Sequence, residues 1–288
     1  MTLYTSLGYI KEWIKTDVAT GNTLSADDMR LLQAARTVSR RIDNAFASRR
    51  PMFAPWNETR KLPLDGLHVN SMQGTFRLDG YLLALTSTSV NGNAVSNVEG
   101  YPDSTMPPFP FLRNTNCCTG WYGYCGDCCA PYQVSVTGVW GFHRDYAAAW
   151  MAVDALAAAI VSTSATTFTV ADADGGDAYG ITPRISAGDL LKVDDEYMEV
   201  TVVNYATNVV TVIRGVNGST AATHLIAAVV SRWEVETPVK HAVARQVGLM
   251  YSRRGAYTTM EVQGMSEVRY PNDWLGEVMG MLNGYAYA

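Results

Sequence analysis

Residues 188–233 read GDLLKVDDEYMEVTVVNYATNVVTVIRGVNGSTAATHLIAAVVSRW, and this stretch decides the fold. Leu191 and Val193 alternate with Lys192 and Asp194, and the acidic run Asp194-Asp195-Glu196 then turns the chain. Met198, Val200 and Val202 alternate with Tyr197, Glu199 and Thr201. After a polar break at 204–208, Val210 and Val212 alternate with Val209, Thr211 and Ile213. A period of two rich in β-branched residues predicts half-buried antiparallel strands. Arg214-Gly215 ends the third strand, and Asn217-Gly218-Ser219-Thr220 supplies residues that tolerate positive φ in a tight turn. Residues 229–233 make a fourth strand. The expectation is a β meander with one wet face and no catalytic constellation.

Around this stretch the chain has 288 residues, room for two modest domains or one large one. Hydrophobic residues are 48% and charged ones 17%, the balance of an ordinary folded protein. The net charge of −5 gives no bulk attraction for nucleic acid, so any DNA contact must be local or weak. One basic run interrupts this: Arg36, Arg40, Arg41, Arg49, Arg50, Arg60 and Lys61 against Asp43 and Glu58. It reads as a solvated helix face, or as a docking surface for an acidic partner. Residues 1–13 lack a basic region followed by a sustained apolar run. The longest apolar stretch, 146–161, is Ala-rich, interrupted by Asp154 and too short to span a bilayer. The expectation is a protein assembled in the cytosol, with no membrane partner.

Leu7, Ile10, Trp13 and Ile14 predict a short helix over 6–16. Ser25 with Asp28 forms a capping box for a second helix to about residue 47, with Leu32, Ala35, Ile42 and Phe46 on its stripe. Pro51 stops it. Residues 62–97 turn to short strands, with Asn91-Gly92-Asn93 as a hairpin signal. Residues 132–140 form another strand. Residues 155–161 are ambiguous between helix and strand. Thr237-Pro238 opens a helix carrying Val239, Ala242, Val243, Gln246 and Met250 to about 255. Asp273 caps a final helix with Trp274, Leu275, Val278, Met279 and Leu282, ended by Gly284.

Two resemblances arise from these residues. The segments GDLLKVDDEYMEVT and VVTVIRGVNGSTAATH resemble a small β module that recurs in structural proteins of tailed bacteriophages, covering about 152–233. The pattern is acid-acid-Glu-x-Met followed by Arg-Gly-x-x-Gly-Ser-x-x-x-x-His. It implies that 155–161 is a strand paired with 167–171. The two-helix start, LDGYLLALTSTSVNGNAV, VTGVWGFH and the terminal helices are similar to the head-to-tail adaptor (connector) proteins of long-tailed phages. The shortest adaptors lack the inserted module. Together these imply an α+β fold: N- and C-terminal helices packed together as a connector core, short antiparallel strands, and an inserted β-meander or barrel-like domain. Residues 1–151 and 236–288 are then the helical/β core, and 152–235 the insertion.

The implied function is a virion structural protein in the neck, assembled in the host cytoplasm as a homo-oligomeric, dodecameric ring between portal and tail. Its partners are portal protein, neighbouring subunits, stopper or tail proteins, and DNA passing through the lumen without specific binding. The alternatives are a tail, baseplate or stopper protein carrying the same module, or a zinc-binding enzyme or regulator built on the cysteine loop. Docking is expected of the C-terminal tail through Trp274, Leu275, Met279, Leu282, Tyr285 and Tyr287, aromatic and Met residues being enriched in interface cores. The competing reading has this helix capping its own subunit.

The remaining chemistry is sparse. Cys117, Cys118, Cys125, Cys128 and Cys129 are the only cysteines. Cys125-x-x-Cys128 has zinc-ligand spacing, but Cys117-Cys118 is an adjacent pair, so zinc, disulfides and free thiols all stay open. Asp172, Asp174 and Asp177 with Gly175-Gly176 resemble part of a calcium loop without its closing Glu, and read as a polar loop. Asn57-Glu58-Thr59 and Asn217-Gly218-Ser219 match the glycosylation acceptor pattern, which has no meaning without secretion. His68, His143, His224 and His241 are far apart in sequence. With no phosphate loop, nucleophile elbow or carboxylate pair, an enzyme is disfavoured and no cofactor is expected.

Overall fold

Ser25 opens the second helix by reciprocal capping. Its hydroxyl accepts from Asp28 N at 3.1 Å, and Asp28 Oδ2 accepts from Ser25 N at 3.0 Å. Two amides that a helix start leaves unpaired are thereby satisfied. Helix α1 spans Leu7–Ile14 with Ser6 as N-cap, and α2 spans Ala26–Ala45, both close to expectation. The computed structural model describes residues 2–15, 23–46, 52–65, 67–70, 73–115, 121, 133–252, 258–262, 265–269 and 274–285. Among these the chain is a mixed α+β protein. Helices α3 (Thr237–Ser252) and α4 (Gly276–Asn283) complete the helical set, and α3 packs against α1, α2 and α4. Buried Lys11 of α1 lies 2.5 Å from Asp28 of α2 and ties the two together. Leu275, not Asp273, holds the N-cap position of α4, so that helix starts later than the sequence suggested.

Contacts sort the chain into two compact units. One comprises Met1–Ala47, Met151–Val216 and Thr220–Ala288; the other comprises Ser48–Trp150 and Asn217–Ser219. All four described α-helices fall in the first unit, with the sheet that carries the opening stretch.

The Ser48–Trp150 unit is an antiparallel sheet. Its strands are β1 (Trp56–Pro63), β2 (Val69–Asn70), β3 (Thr75–Val90), β4 (Asn93–Ala94), β5 (Val98–Tyr101), β6 (Phe109–Asn114) and β7 (Gln133–Trp140). The order is β1-β7-β3-β6-β5, with β2 and β4 also on β3. Asn91 (φ 49) and Gly92 (φ 84) make the predicted two-residue turn, with Val90 opposite Asn93. Phe76, Leu82, Leu112, Val134, Val136 and Trp140 fill the core. β1 corrects the reading of the basic run as one helix face. Arg36, Arg40 and Arg41 lie on α2, while Arg60 and Lys61 lie on β1, and Arg49 and Arg50 fall outside the described residues. The run is therefore not one helix face: its described members divide between a helix of one unit and a strand of the other.

The other sheet contains β8 (Trp150–Ala155), β9 (Thr167–Thr169), β10 (Leu190–Val193), β11 (Glu196–Asn204), β12 (Val209–Ile213) and β13 (Val229–Trp233). All four strands expected in 188–233 are present. Asp194 takes φ 50 in the turn between Val193 and Glu196. Two features differ from expectation. The order is β8-β13-β10-β11-β12-β9, so β13 returns beside β10 and the path is no simple meander. Five successive residues at the start of β11, from Glu196 to Val200, are buried, so this strand has no wet face. α2 contributes to the cover, since Arg36 Nη2 sits 2.6 Å from Glu199 Oε1. The core beneath comprises Val153, Phe168, Leu191, Met198, Val210 and Val230 among others.

The pairing of 155–161 with 167–171 is reduced to a bridge between Leu156 and Val170 and its flanking hydrogen bonds. Ile160 bridges His224 instead. The edge strands β8 and β9 meet only at the Leu156–Val170 bridge, and no closed barrel is found among the described residues. A hairpin of β14 (Thr258–Val262) and β15 (Met265–Arg269) has no counterpart in the sequence reading.

Candidate functional site

A dense polar cluster lies where the opening stretch turns. Glu196 is the first residue of β11, and the β11–β12 ladder sets Glu199 opposite Ile213, which brings Arg214 alongside it. Glu196 Oε1 accepts from Arg214 Nε at 2.6 Å and from Gly215 N at 3.1 Å. Its Oε2 accepts from Arg214 Nη2 at 2.6 Å and Ala222 N at 2.9 Å, and lies 2.8 Å from His224 Nε2. His224 Nδ1 is 2.7 Å from Asp194 Oδ2, so each ring nitrogen faces a carboxylate. Arg214 uses its other donors on backbone carbonyls, at 2.9 Å to Ala165 and 2.5 Å to Ala222. Residues 214–215 and 222–224 are thus fastened to one carboxylate, and Ala165 is fastened to it through Arg214.

Burial alone would raise Glu196. The bonds from Arg214, Ala222 N and His224, with the Arg214 charge, outweigh it and hold the carboxyl below its ordinary range. The side chains of Glu196 and His224 have essentially no exposure. Each oxygen of Glu196 is thus engaged by at least two donors. The cluster is a lock, and its worth lies in geometry.

The acidic loop after β9 is closed in a comparable way. Asp172 Oδ2 pairs with Arg184 Nη2 at 3.0 Å, and Asp177 Oδ2 pairs with Arg232 Nη2 at 2.8 Å. Burial pushes Asp177 up, but Arg232 and the amides of Ile181 and Tyr179 hold it below its usual range. These carboxylates serve arginines. Among the described residues no group of three His, Cys, Asp or Glu side chains is placed to hold a metal. The five cysteines lie outside the described residues.

A small cleft is lined by Leu3, Thr5, Gly188, Asp189, Arg232 and Lys240, with a volume of about 20 Å³. That is room for about one water. Burial pushes the Asp189 carboxyl up to about 6, against the pull of Arg232, the Ser186 amide and Lys240.

The expected docking residues of the tail are spread over different environments. Trp274 is half-buried with the Arg41 guanidinium 4.8 Å from its ring centroid. Half-buried Leu275 donates its amide to Gln246 Oε1 at 3.1 Å. Leu282 and Tyr285 are each 3% exposed, and Tyr285 Oη donates to Glu236 Oε2 at 3.1 Å. Met279 is 39% exposed, and Tyr287 falls outside the described residues. One face of α4 therefore packs on its own unit and the other is open.

The sequence reading singled out Glu196, Arg214 and His224 as a pattern without seeing that they meet. The available signal was an Arg directly before a Gly at a strand end, with a Glu entering an apolar strand. No family model matches the chain, and neither the curated proteins nor the solved structures give a match.

Proposed function

We propose that the chain is a virion structural protein, a head-to-tail adaptor whose copies close into a ring between portal and tail around the DNA channel. The observation that carries this reading is the fate of Glu196, Arg214 and His224. The residues that bear the resemblance to phage modules are saturated with hydrogen bonds inside the fold. A signature of that kind serves rigidity, which a ring under the load of DNA passage requires.

Two further features support it. A cyclic ring needs heterologous interfaces, so each subunit must offer two different surfaces. The helices leave Trp13, Met29 and Met279 partly open, 39%, 51% and 39% exposed, as material for such contacts. The net charge of −5 suits a passage that must not hold phosphates, since each neutralised phosphate adds affinity.

Native mass spectrometry of the full chain mixed with assembled portal tests the reading. The expected result is one defined adaptor stoichiometry bound to an intact portal ring. A chain that stays monomeric and ignores portal overturns it.

A further inference from the structure

The loop between β12 and β13 does not stay with the elements it joins. Its flanks, up to Val216 and from Thr220, belong to the first unit, while Asn217–Ser219 belongs to the second. Specific groups hold the tripeptide there. Asn217 O accepts from Asn57 N at 2.8 Å, and Asn217 Nδ2 donates to Pro55 O at 3.0 Å. Asn217 is 5% exposed, so these bonds are largely shielded from water. Gly218, at φ 77, passes so close to Asn57 that a Cβ would lie 1.9 Å from its carbonyl oxygen. β1 stands at the end of its sheet, and an open strand edge invites pairing with other chains. The tripeptide takes up the Asn57 amide of that strand.

The same loop is pinned on both sides by one carboxylate. Gly215 N donates to Glu196 Oε1 at 3.1 Å, and Ala222 N donates to Glu196 Oε2 at 2.9 Å. Val216 N adds a bond of 3.0 Å to Tyr197 O. With these anchors made, the span left to order is short and has few conformations to lose when Asn217 docks. With the anchors lost, the span lengthens and docking costs more entropy.

We propose that Asn217–Ser219 is a clasp whose closure is set by the Glu196 cluster, so that opening the cluster releases the edge of β1. The coupling runs along the chain and acts through local opening, not global unfolding. It runs both ways, because linkage between two equilibria is reciprocal. Whatever favours the open cluster favours the open clasp, and the reverse. The device lies within a single chain and stands whether or not copies close into a ring.

Hydrogen exchange of single amides in the full chain, read by NMR, tests this. In Glu196→Gln the Asn57 amide is expected to exchange at least about fivefold faster than in the native chain, the lower end of ordinary coupling. The Val95 amide, bonded to Thr88 O at 2.9 Å in the same unit, keeps its rate. Asn217→Gly tests the reverse direction. Gly accepts the positive φ of this position and removes the bond to Pro55, leaving Glu196 and Arg214 in place. The expected result is faster exchange at Gly215 and Ala222, with the Val170 amide, bonded to Asn208 O at 3.0 Å, unchanged. This second variant decides alone where Glu196→Gln does not fold. Unchanged Asn57 exchange in Glu196→Gln overturns the proposal, as does unchanged Gly215 and Ala222 exchange in Asn217→Gly. A rise shared equally by a reporter amide and its control means that the variant loosens the whole unit, and overturns it as well.

Discussion

Arg214 forks onto Glu196, Nε to Oε1 and Nη2 to Oε2, each at 2.6 Å, with side chains 6% and 0% exposed. Bidentate guanidinium–carboxylate pairs fix two planes relative to each other, and a compact ammonium cannot reproduce this. The pair sits at the junction of β11, the end of β12 and the loop to His224, so the module's loops are set from one point.

Glu196→Gln keeps one acceptor but leaves Arg214 buried and uncompensated. The expected loss is about 3 kcal/mol or more in denaturant unfolding. Because Glu196 is held below its ordinary range, its contribution is present above the unfolded carboxylate range and disappears as pH falls through the folded value. The gap between native chain and variant should therefore narrow in acid. A gap under 1 kcal/mol at neutral pH would contradict the lock.

Gly218 has φ 77, and an added Cβ would lie 1.9 Å from Asn57 O, a backbone atom in the same unit. Gly92 has φ 84 with nothing within 4 Å. Ala at Gly92 should cost only the strain of positive φ, about 1 kcal/mol. Ala at Gly218 must also move the backbone and should cost at least about twice as much, read as Tm differences between the two variants. Equal tolerance would show that the Asn217–Ser219 turn yields freely.

Asp189 gives the opposite pH dependence. Its folded value of about 6 lies above the ordinary 3.8, so the native chain holds that proton more tightly than the unfolded one. Above pH 6 both forms are ionised and the native state bears the full burial cost; below the ordinary value both are protonated and the cost is gone. Asp189→Asn keeps an acceptor for the Ser186 amide, now at 2.7 Å. It should stabilise by about 1–2 kcal/mol at pH 7, since part of Asp189 remains open, and the gain should vanish near pH 4. A gain equal at both pH values would place its origin elsewhere.

The tail can be dissected. Truncation after Pro271 removes Val278, Leu282 and Tyr285, exposed by 0%, 3% and 3%, so a drop in Tm is expected. Met279→Glu alters the open face alone. It should leave Tm within about 1 °C and weaken portal binding at least threefold, the value of a small surface ΔΔG. Portal affinity unchanged in Met279→Glu would remove the tail from the interface.

Much of this fold was legible because alternation and turn chemistry are local. Leu191 through Ile213 and Asn91-Gly92 each specify their own strand or turn, and Ser25 with Asp28 their own cap. What local pattern does not contain is cover and return path. Nothing near Tyr197 or Glu199 says that α2 reaches Glu199, so the face of β11 looks wet in sequence. The return of β13 to β10 depends on Val230 meeting Val193, a long-range choice. β1 was hidden because Arg60 and Lys61 register as charge before they register as strand. The lock was half visible: its residues stood out as a spacing, but their meeting depends on the β11–β12 register.

The proposed closure into a ring is tested most directly by the native mass of the chain alone at assembly concentration. A closed ring gives one discrete stoichiometry, with a central channel in negative-stain images of the same sample. A monomer at every concentration, or a ladder of open-ended oligomers without a closed state, would contradict it.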